Sequence, residues 1–323
     1  FTVGLGPVAN ATFAVTTMLI GVPTGVKIFN WLATLWGGQI EFKSPMLFAL
    51  GFIALFIVGG LSGVTHASPP TDFQQQDTYY IVAHLHYVLF GGAIFGLFAG
   101  IYYWLPKFTG RMLSETLGKW HFWLMFIGMN MTFAPMHWLG MNGMPRRVYT
   151  YDSAMGWDFW NMITSIGSYV IAVSMIAFVW NIIRSQRKGE IAPGDPWDGR
   201  TLEWAIPSPP PVYNFKEIPE VHSRDAFWDQ KYTVDAEGRA VAIPRGASTD
   251  PSGEEQEHDD GHGIHMPGMS YFPFITALGL ATIGAGLAMW QGIGTVGLVV
   301  AAFGLLVLFF GAYGWAFEPA DPD

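Results

Sequence analysis

Residues 77–86 read Asp77-Thr78-Tyr79-Tyr80-Ile81-Val82-Ala83-His84-Leu85-His86 and begin an apolar segment that continues to Leu105. Residues two apart in a helix differ by about 200° in direction and by ~3 Å in height. The imidazoles of His84 and His86 therefore leave the helix on nearly opposite faces at a similar depth. Such a pair cannot readily chelate one metal, but each ring can reach a different cofactor. Imidazole is a common axial ligand of haem iron, whereas polar residues in membrane spans also serve as interhelical hydrogen-bonding groups or proton relays.

The composition places much of the chain in lipid. Hydrophobic residues make up 51% of its 323 residues and charged residues only 13%, where a soluble domain usually has about a quarter charged residues. A spanning helix needs ~20 mostly apolar residues. We therefore expect an all-α polytopic membrane protein with about seven transmembrane helices. Seven stretches qualify: Val8–Trp36, Pro45–His66, Tyr79–Leu105, Gly118–Gly140, Trp157–Ile183, Tyr271–Trp290 and Gly292–Trp315.

Between Ser185 and Gly268 prolines, acids and turn residues replace the apolar pattern, which predicts a largely irregular extramembrane segment. The chain thus divides into residues 1–185 with five spans, 186–268 without a span, 269–317 with two spans, and an acidic tail at 318–323. Lys and Arg follow the first, third and fifth spans, so those loops, residues 186–268 and the C-terminus are predicted to be cytoplasmic.

Charge and cysteine content exclude several kinds of site. The net charge is −9, and most of the acids follow Gln186, so the acidity belongs to a solvated segment and no nucleic-acid partner is expected. The chain has no cysteine, which excludes thiolate haem ligation, iron–sulfur clusters, disulfides and cysteine-based copper sites within it. In the acidic segment, His258, His262 and His265 lack compact ligand spacing, and we interpret them as solvated polar sequence.

Lys27 lies inside the first span, past its middle. Its ammonium either extends to the cytoplasmic surface or takes part in proton conduction, because a buried charge in lipid is costly. Thr24 is one helical turn earlier on the same face and can hold water beside the amine.

Four charged residues lie on the predicted outer side. Arg146 and Arg147 are an exception to the positive-inside rule. Binding of their guanidinium groups either to haem carboxylates or to lipid phosphates would explain this exception. Asp72 and Asp77 precede the third span, and Asp77 either caps that helix or ligates a hard cation.

Several motifs agree in order and spacing with one family, and the chain resembles subunit I of the A-type haem–copper cytochrome c oxidases over about two thirds of its length. The motifs are Pro23-Thr24-Gly25-Val26-Lys27, Asp77-Thr78-Tyr79-Tyr80 with His84-Leu85-His86-Tyr87, Gly140-Met141-Asn142-Gly143-Met144-Pro145-Arg146-Arg147 and the stretch Trp197–Phe215. The resemblance implies that residues 1–185 are the C-terminal part of a twelve-helix, haem-binding oxidase core.

The resemblance also implies a role for each candidate residue. His84 would be the axial ligand of haem a3, and His86 one axial ligand of haem a. Arg146, Arg147 and Asp72 would face the haem propionates, and Thr24 and Lys27 would belong to a proton path. Asp77 would bind magnesium with Gln76, which stands where relatives often have a His and offers only a neutral amide oxygen.

The family's copper B ligands lie upstream of the position of Phe1, so none is in this chain. The last two spans, introduced by Ile264-His265-Met266-Pro267 and Phe272-Pro273-Phe274, resemble a two-helix extension related to subunit III. Implied partners are the remainder of subunit I, subunit II with its copper A, subunit III, cytochrome c, oxygen and membrane lipid, in the bacterial plasma membrane.

The implied function is the transfer of electrons from cytochrome c through haem a to the haem a3–copper B site, where oxygen is reduced to water and protons are translocated. Three alternatives stay open at this point. They are a quinol oxidase of the same superfamily, a bis-haem electron-transfer protein without oxygen chemistry, and a proton channel centred on Lys27.

Overall fold

The computed structural model describes residues 1–216, 218–236, 239–243 and 270–318. The histidines at 258, 262 and 265, the motif at 264–267 and nearly all of the acidic tail lie outside the described residues. The chain forms two compact units, Phe1–Ser248 and Thr249–Asp323. Most described residues are helical, and six helices are long and apolar enough to cross a membrane, which confirms the predicted fold class.

The helices of the first unit follow the predicted stretches closely. They are α1 (Pro7–Leu35), α2 (Ser44–Ala67), α3 (Pro69–Gln75), α4 (Tyr79–Val88), a π-helical turn (Leu89–Ile94), α5 (Phe95–Thr109), α6 (Glu115–Met141) and α7 (Asp158–Lys188). Helix α6 is one of the seven predicted stretches but is not among the six most apolar helices, because polar residues such as Asn130 and His137 interrupt it.

The third span, which comprises α4, the π-helical turn and α5, is not one uniform helix. Its α-helical hydrogen-bonding register loosens for six residues at the π-helical turn, which contains Gly91 and Gly92. A Cβ added to Gly91 would lie 2.7 Å from Cβ of Leu55, and one added to Gly92 would lie 3.0 Å from the Phe56 ring. The turn thus lets α2 pack directly against the backbone, and π-turns of this kind often occur at functional sites.

Helix α4 lies between α2 and α6, and α7 packs along α6. Aromatic and methionine side chains fill the space between these helices, with Phe48, Phe95, Met125 and Met129 fully buried. Helix α1 contacts α2 and α3 and has one buried residue, Ala14. The histidine pair of α4 therefore lies inside the helical bundle.

The described part of residues 186–268 is mostly loop, contains short regular elements and packs on the helix ends. These elements are a 3₁₀ turn (Leu202–Trp204), α8 (Ala226–Lys231), and the antiparallel pair β1 (Tyr232–Val234) and β2 (Ala240–Ala242). Lys107, at the end of α5, is buried and donates hydrogen bonds to the carbonyl oxygens of Gly194 (2.8 Å), Ile206 (2.6 Å) and Pro207 (3.3 Å).

The second unit contains a hairpin of α9 (Phe272–Ile293) and α10 (Thr295–Ala316). Small residues line the contact between the two helices: a Cβ added to Gly286 would meet the backbone of Ala301, and one added to Gly304 would lie 2.6 Å from the backbone nitrogen of Ile283. Close backbone approach at glycines is a common way for helices to associate in lipid.

Candidate functional site

The ring of His84 points from α4 towards α2. Its Nδ1 lies 3.0 Å from the carbonyl oxygen of Gly59 and 2.9 Å from Oγ of Ser62. A carbonyl oxygen only accepts hydrogen bonds, so Nδ1 carries the ring proton and Nε2 holds the lone pair. Gly63 completes the contact, because a Cβ there would lie 3.0 Å from Cε1 of His84. Gly59 and Gly63 of α2 thus allow close approach of the neighbouring helix α4.

The ring of His86 points the other way, towards α6. It stacks on Phe133 with a centroid separation of 4.1 Å and an interplanar angle of 12°. Its Nδ1 lies 2.7 Å from the carbonyl oxygen of Val82, which assigns the proton to Nδ1 in this ring as well.

The two histidines therefore occupy opposite faces of α4, as helical geometry predicts. Within the described part of the chain, Nε2 of neither ring has a hydrogen-bond partner. A main-chain acceptor that fixes Nδ1–H and leaves Nε2 free is the arrangement that metal-ligating histidines usually show. Each face thus offers one oriented imidazole nitrogen.

A polar cluster next to His84, towards the C-terminal end of α2, was not predicted from the sequence. His66 in α2 contacts the ring of His84 (4.9 Å between centroids) and the ring of Tyr80 (5.1 Å). Tyr80 also contacts His137 of α6 at 5.0 Å, and its hydroxyl lies 3.2 Å from Oγ1 of Thr65. The sequence contains one sign of this cluster: Gly59, Ser62 and His66 are three and four residues apart, which places them on one face of a helix.

Asp77 does not cap α4, and the predicted capping role is wrong. The cap is Thr78, whose side chain accepts a hydrogen bond from the backbone nitrogen of Tyr80 at 3.2 Å. Asp77 instead pairs with Arg146, with Oδ1 2.7 Å from Nε and 2.6 Å from Nη2. The backbone reinforces this pair, because the nitrogen of Arg146 donates to the carbonyl oxygen of Asp77 at 2.9 Å.

Arg147 follows this ion pair with a positive φ of 69°, a left-handed conformation that turns the chain at the end of the motif. Its side chain is exposed and has no ion pair within the described residues. The adjacent arginines thus differ, since of the two only Arg146 pairs with a carboxylate among the described residues.

Asp72 lies in the first turn of α3, where its Oδ1 is 3.7 Å from Nδ1 of His66. Burial raises the pKa of the Asp72 carboxyl. The backbone of Gln76 donates to the carbonyl oxygen of Asp72 at 2.8 Å, which ends α3. Among the described residues, no three His, Asp or Glu side chains form a group that could hold a metal ion.

Thr24 and Lys27 lie away from this cluster, on an exposed face of α1. The hydroxyl of Thr24 donates to the carbonyl oxygen of Ile20 at 3.0 Å. The ammonium of Lys27 lies 5.5 Å from the ring centre of Trp31, one turn nearer the C-terminal end of the helix. This direction agrees with an amine that extends towards the membrane surface, and the contact leaves the ammonium accessible.

Residues 1–170 match the family described as "Cytochrome C and Quinol oxidase polypeptide I". The chain belongs to this family. Members of the cytochrome c and quinol oxidase polypeptide I family with high similarity include cytochrome c oxidase subunit 1 of Bacillus sp. (strain PS3), which is 51% identical over 95% of this chain and 47% of the relative. Quinol oxidase subunit 1 of Bacillus subtilis (strain 168) is 42% identical over 93% of this chain and 44% of the relative.

The chain spans about half the length of the curated family members it matches. Among solved structures, a haem–copper terminal oxidase dimer is similar with a TM-score of 0.50 at 18% identity, over 58% of this chain and 38% of that chain. This likeness supports the fold of the oxidase polypeptide I family.

Proposed function

We propose that the chain is part of the catalytic subunit of a terminal respiratory oxidase, in which His84 would hold haem a3 and His86 would hold haem a. The observation that carries the proposal is the pair of imidazoles on opposite faces of α4, each with Nδ1 held by a main-chain carbonyl and Nε2 left to ligate. Family membership and the similarity to a haem–copper terminal oxidase dimer support it.

The residues around His84 fit a haem ligand. Gly59 and Gly63 leave room for the imidazole against α2, and any side chain at Gly63 would press on its ring. Beyond the ring, both nitrogens of His66 are buried without a hydrogen-bond partner in the described residues, which points to a polar group of another molecule in this region. When bound, haem iron and copper would supply the electron transfer and the oxygen chemistry.

The charged residues of the outer side would position the haem carboxylates. Arg147 keeps its whole guanidinium for such a group, whereas Arg146 engages Asp77 and keeps its remaining nitrogen, Nη1. Asp72 would face the haem propionates together with these arginines. Asp77 retains Oδ2 for a magnesium ion, to which Gln76 would add an amide oxygen and other subunits the further ligands.

The chain would also deliver protons. Lys27 and Thr24 belong to one turn of α1 and would form a step of a proton path from the cytoplasmic side. The ammonium over Trp31 would take up and release protons, and the Thr24 hydroxyl would hold water next to it.

The remaining parts of the proposal concern the whole complex. Copper B would be bound by the remainder of subunit I, and subunit II would supply copper A and the docking surface for cytochrome c. Residues 186–268 and the C-terminus would be cytoplasmic in a bacterial plasma membrane. The α9–α10 hairpin would be a subunit III-like extension, and residues 1–185 the haem-binding core.

The similarity to quinol oxidase subunit 1 of Bacillus subtilis favours one second candidate, oxidation of a membrane quinol by the same haem arrangement. A purified complex that oxidises reduced cytochrome c, but not quinol, supports the first candidate, and the reverse result supports the second.

The proposed function is tested with the optical spectrum of the intact reduced complex with and without carbon monoxide. We expect one haem that binds carbon monoxide and one that does not. If both haems are six-coordinate and neither binds the gas, the chain belongs to an electron-transfer protein and the oxidase proposal is wrong.

Two variants assign the haems to the histidines. His84→Ala should remove the haem that binds carbon monoxide, and added imidazole should restore part of that spectrum because it can occupy the space of the lost ring. His86→Ala should disrupt the other haem. His222→Ala, an exposed histidine outside the bundle, is the matched control. Loss of the same haem in both variants would contradict the assignment of one ligand to each face.

A further inference from the structure

His66 lies at the outer end of α2, one turn beyond the residues that hold His84. Ser62 and Gly63 contact the His84 ring, and His66 follows Ser62 by four residues on the same face of the helix. The two imidazoles meet edge to face, with 4.9 Å between their centroids and an angle of 61°. His66 therefore borders the outer edge of the proposed haem site.

Neither nitrogen of His66 has a hydrogen-bond partner in the described part of the chain, although both atoms are buried. Oδ1 of Asp72 lies 3.7 Å from Nδ1, which exceeds the length of a hydrogen bond. A neutral imidazole always offers one donor and one acceptor. Because buried polar atoms in native proteins are almost always paired, a group from outside the described chain should complete this site.

The chemistry of that group follows from its surroundings. It must reach the space outward of His84, and it must accept a hydrogen bond, because the imidazole N–H has no acceptor of its own. The edge of a haem carries carboxylates, which are strong acceptors. We infer that His66 binds the haem held by His84, with its imidazole N–H donating a hydrogen bond to one of the haem carboxylates.

This inference rests on the proposed function, because it requires a haem on His84. The arginines of the outer loop would then not be the only groups that contact the haem carboxylates, because His66 would add a contact from within the bundle. This contact lies on the opposite side of α4 from His86. The contact would stabilise the ionised carboxylate. Its loss would leave the negative charge of the carboxylate less compensated near the iron and so favour the oxidised haem.

The test uses the intact complex with haem labelled with carbon-13 at its carboxylates, and redox-difference infrared spectroscopy. In His66→Leu we expect the labelled carboxylate band to shift. The ratio of oxidised to reduced haem at a fixed potential should rise by up to about tenfold, which corresponds to about 59 mV for one electron. His66→Gln, which keeps a donor of similar reach, should return both readouts towards those of the parent protein.

The matched control is His137→Leu, since His137 contacts the same Tyr80 ring at 5.0 Å but makes no ring contact with His84 in the described residues. The labelled band should not move in this variant. An unshifted band in His66→Leu with bound haem would overturn the inference and assign His66 to a buried water or to packing. If His66→Leu binds no haem, then an unrestored band in His66→Gln would overturn it instead. Absence of a carbon-monoxide-binding haem in the parent protein would contradict the proposed function itself.

Discussion

At the scale of single residues, the position of the His84 ring depends on the absence of side chains at two glycines of α2. Gly59 and Gly63 allow α4 to approach so closely that the Gly59 carbonyl can accept the Nδ1 proton. The same backbone that makes room for the ring thus selects its tautomer. The free Nε2 is a consequence of helix packing and needs no additional carboxylate.

Gly63→Ala tests this dependence. The new Cβ would lie 3.0 Å from Cε1 of His84, and overpacking of this kind costs about 1–3 kcal/mol. We expect the content of carbon-monoxide-binding haem and the melting temperature to fall. Gly60→Ala is the control, because a Cβ there has no neighbour within 4 Å among the described residues. Equal haem content in both variants would show that the Gly63 contact does not position the ring.

Lys27→Met tests the proton-path role. Methionine preserves most of the side-chain volume but carries no proton, so we expect slower reduction of the oxygen-binding site with unchanged haem content. Stopped-flow spectroscopy of the intact complex measures both. Lys43→Met is the control, since Lys43 is an exposed cation paired with Glu41 at 2.7 Å beyond the end of α1. Unchanged kinetics in Lys27→Met would indicate that the amine only extends to the membrane surface.

At the scale of elements, hydropathy and length predicted every spanning helix of the structure within a few residues. They did not predict the π-helical turn at Leu89–Ile94, because a change of hydrogen-bond register leaves the apolar pattern intact. The short elements near Lys231 were also missed. Their stability depends on pairings such as Lys231 with Asp195 and Asp198, which no local pattern encodes.

The α9–α10 hairpin provides a test at this scale. Gly286→Leu places a Cβ against the backbone of Ala301, whereas the Cβ of Gly284→Leu has no neighbour within 4 Å in the described residues. Since small residues let helices associate in lipid, we expect Gly286→Leu to separate the helices and Gly284→Leu to leave them paired. Cross-linking of engineered cysteines at the helix contact reports this, and equal cross-linking would contradict the packing.

At the scale of the whole molecule, the candidate site combines groups that are far apart in sequence. The opposite directions of His84 and His86 could be predicted, because helical geometry is local. The pairing of Asp77 with Arg146 could not, because it joins loops 69 residues apart. His66 was overlooked for the same reason, since its importance comes from the ring of His84 on another helix.

Charged residues that are distant in sequence also pair around Lys231, and this region should respond to pH. Burial alone would raise the pKa of Asp198, but the hydrogen bonds from Lys231 and Tyr232 lower it below its ordinary value of 3.8. Burial alone would lower the pKa of Lys231, but its bonds to Asp195 and Asp198 raise it above 10.5. The pairing therefore contributes its full stabilisation at pH values between 3.8 and 10.5, the ordinary pKa values of the two groups.

Its stabilisation is lost as the pH falls through the depressed pKa of Asp198 or rises through the elevated pKa of Lys231. We expect hydrogen exchange in α8 and β1, corrected for the intrinsic rate, to be constant near neutral pH and faster at both extremes. Asp198→Asn should weaken the acid response. A protection that changes steadily across neutral pH would contradict this account.

Lys107 has a consequence for biogenesis. Its three carbonyl acceptors lie 87 to 100 residues further along the chain, and translation proceeds at about 5–20 residues per second. The ammonium must therefore wait on the order of 5–20 seconds after its own synthesis before its partners exist. In nascent chains arrested before residue 194, an amine-reactive reagent should label Lys107, and in chains arrested beyond residue 243 it should not. The contacts of the last turn of α5 therefore form only after residues 194–207 have been synthesised.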